Sequence, residues 1–352
     1  MKSFLSNRGP SACPLILALF QKRIEGDDAL LQLAAMRFGE AGLSPEFYAE
    51  TPDELDHLLR FRPAAEAGAA VHLPRWINMF DENSRRLVLE FAGRSGGRIF
   101  GLIVHDQQEI SREFENYAAI LGRMNSLLEG INGPRLFIEY ASGLDTSLFV
   151  KLFEEIRDLA YVSCCIDIGH IGLWRANRVY SLEHPGEDVC SLSPGHSGLK
   201  EIMGDVQEAA AAALSEVTHV IRQTGCLGKP IHFHLHDGHP LSTFSPFGVS
   251  DHLSFFTKIM LPFDYMGRKD VGTMFGPSGL FRIVEEAMKT PGPERVSFSL
   301  EIHPVEGRLP LGDASALFSH WKDKGNAERM NFWLSVLIEN QQLLLEAVRQ
   351  NN

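Results

Sequence analysis

Residues 231–239 read IHFHLHDGH, four histidines in nine positions, with Ile231, Phe233 and Leu235 interleaved among the first three. A β-strand sends alternate side chains to opposite faces, so the apolar residues share one face and His232, His234 and His236 the other. A helix would scatter the same residues around its axis. An imidazole face opposite an apolar one suits the binding of a divalent cation. Similar residues recur at the ends of other apolar runs: His72 in VHLP, His105 in IVHD, Glu139 in FIEY, Asp167 with His170 in DIGH, His234 in HLHD and Glu301 in SLEIHP. A carboxylate buried at such a place needs a partner, and a cation is the natural one.

Taken singly, each of these residues has another use. A lone histidine such as His72 or His105 caps an element or is hydrogen-bonded in a core. Glu139 and Glu301 have Arg135 and Arg308 as candidate salt-bridge partners. Asp167 could open the turn at Gly169. The conjunction of six strand ends favours a metal site, and mixed imidazole and carboxylate donors suit Mn²⁺, Zn²⁺, Co²⁺, Fe²⁺ or Mg²⁺.

The elements that must position these groups alternate along the chain. Strand-like runs are LILALF (15–20), SPEFYAE (44–50), AAVHLPR (69–75), RIFGLIVHD (98–106), PRLFIEY (134–140), YVSCCIDIGH (161–170), KPIHFHLHDGH (229–239) and RVSFSLEIHP (295–304). Amphipathic stretches lie between them, and a closing helix follows near ERMNFWLSVLIENQQLLLEAV. Eight β and α units in alternation predict an α/β fold, a (β/α)8 TIM barrel formed by about residues 12–305, with a C-terminal helical extension over 306–352, as one domain over 1–352. Residues 171–230 and 240–294 exceed what a crossover helix requires. They predict long loops after strands 6 and 7, on the face where barrel active sites form, and read as lids rather than a second domain. Just past DIGH, Trp174 and Arg175 are candidates to close over a bound ring. Gly276, Ser278 and Gly279 lie where a helix N-terminus could hold an anion, although a glycine-rich turn opening the last barrel helix explains them more simply.

The chain has 352 residues, 44% hydrophobic and 22% charged, with a formal net charge of −12. No Lys/Arg block stands out, which disfavours a nucleic acid partner. Five cysteines without a CxxC pair point to a reducing cytoplasm. The apolar run Pro14–Phe20 is too short for a signal peptide core with its flanks, and no run approaches the ~18–20 apolar residues of a membrane span. Cys164 and Cys165 are adjacent and read as buried packing residues. His239 and His303 fall just beyond the motifs as supports, and His184, His196, His219 and His320 read as surface residues. A homo-oligomer is left open.

In the order Glu at strand five, Asp-x-x-His at strand six, His-Leu-x-Asp at strand seven and Glu at strand eight, the chain resembles the xylose isomerase-like barrel superfamily. That group includes sugar phosphate isomerases and epimerases, inosose dehydratases and endonuclease IV. The resemblance spans about residues 12–305. It implies that Glu139, Asp167, His234 and Glu301 hold a shared divalent metal, and that Glu139 and Glu301 move a proton on and off the carbon beside a carbonyl. His170 and His236 would then contact substrate oxygens, with histidine at 236 where the family often has lysine. The endonuclease IV branch uses further ligands, to which His72, His105, His170 and His252 are similar. Ser250 stands where that branch places Asp, with Asp251 directly beside His252, which weakens a third metal. The implied activity is a metal-dependent isomerase or epimerase of a small sugar or polyol-type hydroxycarbonyl compound. A dehydratase, a metal-dependent phosphoesterase and a non-catalytic sugar-binding protein are the alternatives.

Overall fold

The eight strand-like runs form β1 (Leu15–Leu19), β2 (Ser44–Tyr48), β3 (Ala69–His72), β4 (Ile99–His105), β5 (Arg135–Glu139), β6 (Val162–Asp167), β7 (Ile231–Leu235) and β10 (Val296–Glu301). The structure, a computed structural model, describes residues 14–19, 27–62, 68–186, 205, 208–237, 256, 263–265, 268–270, 274–289, 296–301 and 327–351. His252, Arg308 and the loop histidines 196, 239, 303 and 320 lie outside the described residues. The strands close into a parallel barrel in the order β1-β10-β7-β6-β5-β4-β3-β2. A short antiparallel hairpin, β8 (Phe263–Tyr265) and β9 (Arg268–Asp270), stands apart from it.

The helices are α1 (Asp28–Ala41), α2 (Pro52–Leu58), α3 (Glu82–Ser95), α4 (Phe114–Gly130), α5 (Thr146–Glu155), α6 (Ile168–Glu183), α7 (Ala213–Gly225), α8 (Gly276–Met288) and α9 (Ala327–Gln350). Their starts are legible locally. Asp27, Thr51, Asp81 and Asp145 each accept a hydrogen bond from the backbone N–H three residues on, and α1 closes on Gly42 in the left-handed region at φ 69°. This is the expected (β/α)8 TIM barrel with a C-terminal helix. No helix among the described residues is long and apolar enough to cross a membrane.

Strand alternation divides the core in two. Ile231, Phe233, Leu235, Val296, Phe298 and Leu300 face outward and join the helices in the main apolar cluster. Leu15, Leu17, Ala70, Phe100, Ile103, Phe137 and Cys165 fill the barrel interior. Above this apolar plug the inward positions turn polar: Glu46, His72, Glu139, Asp167, His232, His234, Ser299 and Glu301 are all buried. Parallel registers set the polar residues side by side, with Asp167 opposite His234, Ser299 opposite His234, and His105 opposite Glu139.

One boundary differs from the sequence reading. The DIGH strand stops at Asp167, and Ile168, Gly169 and His170 already belong to α6. The Asp167 carboxylate accepts from His170 N at 2.7 Å, so a helix N-cap begins there and leaves no strand to extend. Much of the 171–230 interval is likewise barrel architecture, since α6 and α7 pack against each other and α7 packs on α5 and α8.

Candidate metal centre

Four donors from four strands meet at the C-terminal end of the barrel. One ligand atom each from Glu139, Asp167, His234 and Glu301 lies within 4.8 Å of all the others, and the four residues are 0–1% exposed. His234 Nδ1 is 3.2 Å from Glu301 Oε2 and 3.4 Å from Glu139 Oε1. Yet His234 Nδ1 and Glu139 Oε1 are buried without a hydrogen-bond partner of acceptable geometry. Converging donors that no proton satisfies have the chemistry of a cation site, and the imidazole with three carboxylates fits a divalent ion.

The orientation of His234 comes from below. Its Nε2 donates to Glu46 Oε1 at 2.9 Å, while the other oxygen of Glu46 accepts from His232 Nε2 at 2.9 Å. His232 Nδ1 in turn accepts from the Ser297 hydroxyl at 2.8 Å. A carboxylate that takes the Nε2 proton leaves the Nδ1 lone pair to face a cation held among the three acids. Burial works against ionisation of Glu46, but His234 and His232 together hold its carboxyl far below the ordinary range. Burial likewise disfavours protonated His234, and the Cys165 sulfur together with Glu46, Glu301 and Glu139 more than offsets it and raises its pKa well above 6.5.

Four further histidines surround this core. His72 donates from both nitrogens, Nδ1 to Leu73 O at 3.0 Å and Nε2 to Glu139 Oε2 at 2.9 Å, the pattern of an imidazolium. Its pKa is raised: burial lowers it, but Glu139 outweighs burial. His105 Nε2 stands 3.5 Å from Glu139 Oε2, and burial pushes its pKa down to about 3, so it is neutral. His170 Nδ1 donates to Tyr140 O at 3.1 Å and lies 3.5 Å from Asp167 Oδ2. His236 Nε2 faces Asp167 Oδ1 at 3.0 Å and its Nδ1 donates to Asp237 O. His105 has a side chain 15% exposed and forms the open edge of the group.

Several sequence expectations place differently in space. Glu139 pairs with His72, not with Arg135, whose Nε donates to Ala160 O at the far end of the same strand. Neither Trp174 nor Arg175 is brought into the cluster. Trp174 packs edge-on to Tyr140 under the Arg178 guanidinium, and Arg175 Nε is 3.8 Å from Glu216 Oε2 of α7. They sit on the second turn of α6, which begins three residues earlier than the sequence reading required. The N–H groups at the start of α8 are taken internally, Phe275 N and Gly276 N donating to Asp237 at 2.9 and 2.7 Å.

Two structural carboxylates, Glu46 and Asp106, escaped the sequence reading, and Asp237 entered it only as the last position of the His-Leu-x-Asp frame. Glu46 was legible by the alternation already applied to the histidines, since Pro45 and Phe47 alternate with it. Asp106 accepts from Ala141 N, Gly143 N and Leu144 N, tying the end of β4 to the turn after β5. Asp237 does the same between β7 and α8. Both follow a histidine at a strand end, and this repeated His-Asp pair was the available signal. Comparison with known proteins adds no relative: no family model matches the chain, and no curated protein matches it.

Proposed function

We propose that this protein is a divalent-metal-dependent isomerase or epimerase acting on a small sugar or polyol-type hydroxycarbonyl compound in the cytoplasm. The observation that carries the reading is the buried meeting of Glu139, Asp167, His234 and Glu301 at the barrel mouth, with Glu139 Oε1 and His234 Nδ1 lacking hydrogen-bond partners. These four residues would hold the ion. The ordered set of strand-end motifs, which resembles the xylose isomerase-like superfamily, supports the same reading, and the described cysteines 164, 165 and 226 are free.

When bound, a divalent cation supplies the positive charge that a carbonyl oxygen needs while the neighbouring carbon loses its proton. The protein's own groups do the rest. Glu139 and Glu301 come from β5 and β10, separated in the barrel wall by β6 and β7, and would act on the reacting carbon from these two strands. His72 holds Oε2 of Glu139 and leaves Oε1 directed into the centre. His170, against Asp167, is the group to orient a substrate hydroxyl, whereas both ring nitrogens of the buried His236 are engaged by Asp167 and Asp237 O. The apolar plug beneath excludes water from below.

The test is solvent deuterium incorporation into a panel of ketoses with metal-loaded protein. Incorporation is expected at the carbon beside the carbonyl, and Glu139→Gln or Glu301→Gln should lower its rate by roughly 10²–10⁴. Turnover without exchange would overturn the mechanism. A second reading, a phosphoesterase with several metals, draws on one observation: His72, His105 and Glu139 form another donor trio. Counting bound ions by anomalous scattering separates the two, one ion supporting the isomerase and three the phosphoesterase.

A further inference from the structure

The turns after β3, β4 and β5 enclose a recess of about 320 Å³ that opens beside the cluster at His105. Its lining includes Arg75, Trp76 and Asn78 from the first turn and Gln107 and Glu109 from the second. Trp76 is 59% exposed, unusual for an indole this close to a polar centre. The Arg75 guanidinium makes no hydrogen bond or ion pair with any described residue. Gln107 donates to Ile77 O at 2.7 Å, which pins its amide, and Asn78 Oδ1 accepts from Phe80 N at 2.8 Å, which leaves its NH₂ group available.

This lining selects among ligands. An apolar molecule would strand the guanidinium and both amides away from water. A strongly anionic one would meet a single arginine with Glu109 alongside. A sugar ring presents a C–H face that covers an indole and a rim of hydroxyls that both donate and accept, and the mixed planar side chains here match that rim. The volume is at the small end for ligand sites, about what one ring needs.

We propose that the recess binds a neutral, hexopyranose-sized ring stacked on Trp76. Resting on the metal-dependent reading above, we take this ring as the part of the substrate remote from the metal, so that the substrate is a glycoside or disaccharide-sized sugar. The cluster donors themselves are buried, and His105, which lines the recess, stands 3.5 Å from Glu139 Oε2.

The experiment is saturation-transfer NMR on the Mg²⁺-loaded full chain with methyl glucopyranoside, methyl galactopyranoside and methyl mannopyranoside. At least one neutral ring should bind, with saturation strongest on its C–H face. Trp76→Ala should weaken binding by about tenfold or more, and Trp76→Phe should recover most of it. The proposal fails if no neutral ring binds, if Trp76→Ala binds as the wild type does, or if hexose 6-phosphate binds where every neutral ring fails. Metal affinity measured on the same samples keeps the two readings apart. Metal binding without ring binding ends this proposal and leaves the isomerase reading standing. Ring binding without metal binding keeps the recess assignment and overturns the metal-dependent reaction.

Discussion

A histidine offers a cation one nitrogen, and the partner of its other nitrogen decides which. At His234 that partner is Glu46, buried with both oxygens engaged by imidazole N–H groups. Glutamine at 46 would keep one acceptor and turn an NH₂ group on the second histidine, disturbing the ring that carries Nδ1 into the centre. Glu46→Gln is therefore expected to weaken Co²⁺ or Mn²⁺ binding by about 10–100-fold, read by calorimetric titration. Ser297→Ala, which removes only the hydroxyl that supports His232, is the control for a general loss of packing and should change affinity far less. Equal affinity in Glu46→Gln and wild type would show that Glu46 does not orient the ligand. The alternation that exposed the histidines applied to Glu46 as well. Its importance was hidden because its partners lie 186 and 188 positions away in the chain.

Elements position the site through their first turns. At the start of α6, a Cβ on Gly169 would lie 1.9 Å from His236 Cε1, and His236 is held by both Asp167 and Asp237. Gly169→Ala should destabilise the protein by about 1–3 kcal/mol in urea unfolding, because a buried, doubly bonded ring has nowhere to move. Gly122→Ala on α4, where nothing lies within 4 Å, should be neutral or stabilising. An unchanged midpoint for Gly169→Ala would mean that His236 is looser than its bonds imply. The helix caps carry a pH signature. Burial tends to raise the Asp145 carboxyl, but the Ser147 hydroxyl and Leu148 N–H hold it below its usual 3.8. A depressed carboxyl contributes stability above its unfolded value and loses it as pH falls through the folded one. Asp145→Ala should thus cost about 1 kcal/mol at neutral pH, and the gap from wild type should narrow below about pH 3.8. A gap that stays constant to pH 2 would rule out the ionised cap. These starts were readable in advance from Asp and Thr before each helical stretch. The early start of α6 was not, because DIGH also continues an apolar strand pattern.

At the scale of the molecule, the four converging donors come from β5, β6, β7 and β10, half of the barrel wall. An ion that binds only the folded barrel adds its binding free energy to stability. At a hundred times its Kd, Mn²⁺ or Co²⁺ should stabilise the fold by about 2.7 kcal/mol, a chelator should reverse the gain, and Glu301→Gln should abolish it. Thermal unfolding followed by circular dichroism reads all three, and a midpoint indifferent to added metal would refute the site. The closure that makes this possible is the pairing of β1 with both β2 and β10. Alternation of β and α units foretold the barrel, since eight such units have few other ways to bury their apolar faces.

The sequence by itself determined the local quantities: strand and helix order, which face of each strand is polar, and the strand ends at which His, Asp and Glu accumulate. Those follow from side-chain alternation and capping, which act over a few residues. Tertiary structure decided the pairings. It gave Glu139 to His72 and Glu46 to His232 and His234, turned Trp174 and Arg175 onto Tyr140 and α7, and left Trp76 and Arg75 open beside His105. Such choices depend on barrel register and on which loops meet at the mouth, distances that closure sets between residues far apart in the chain.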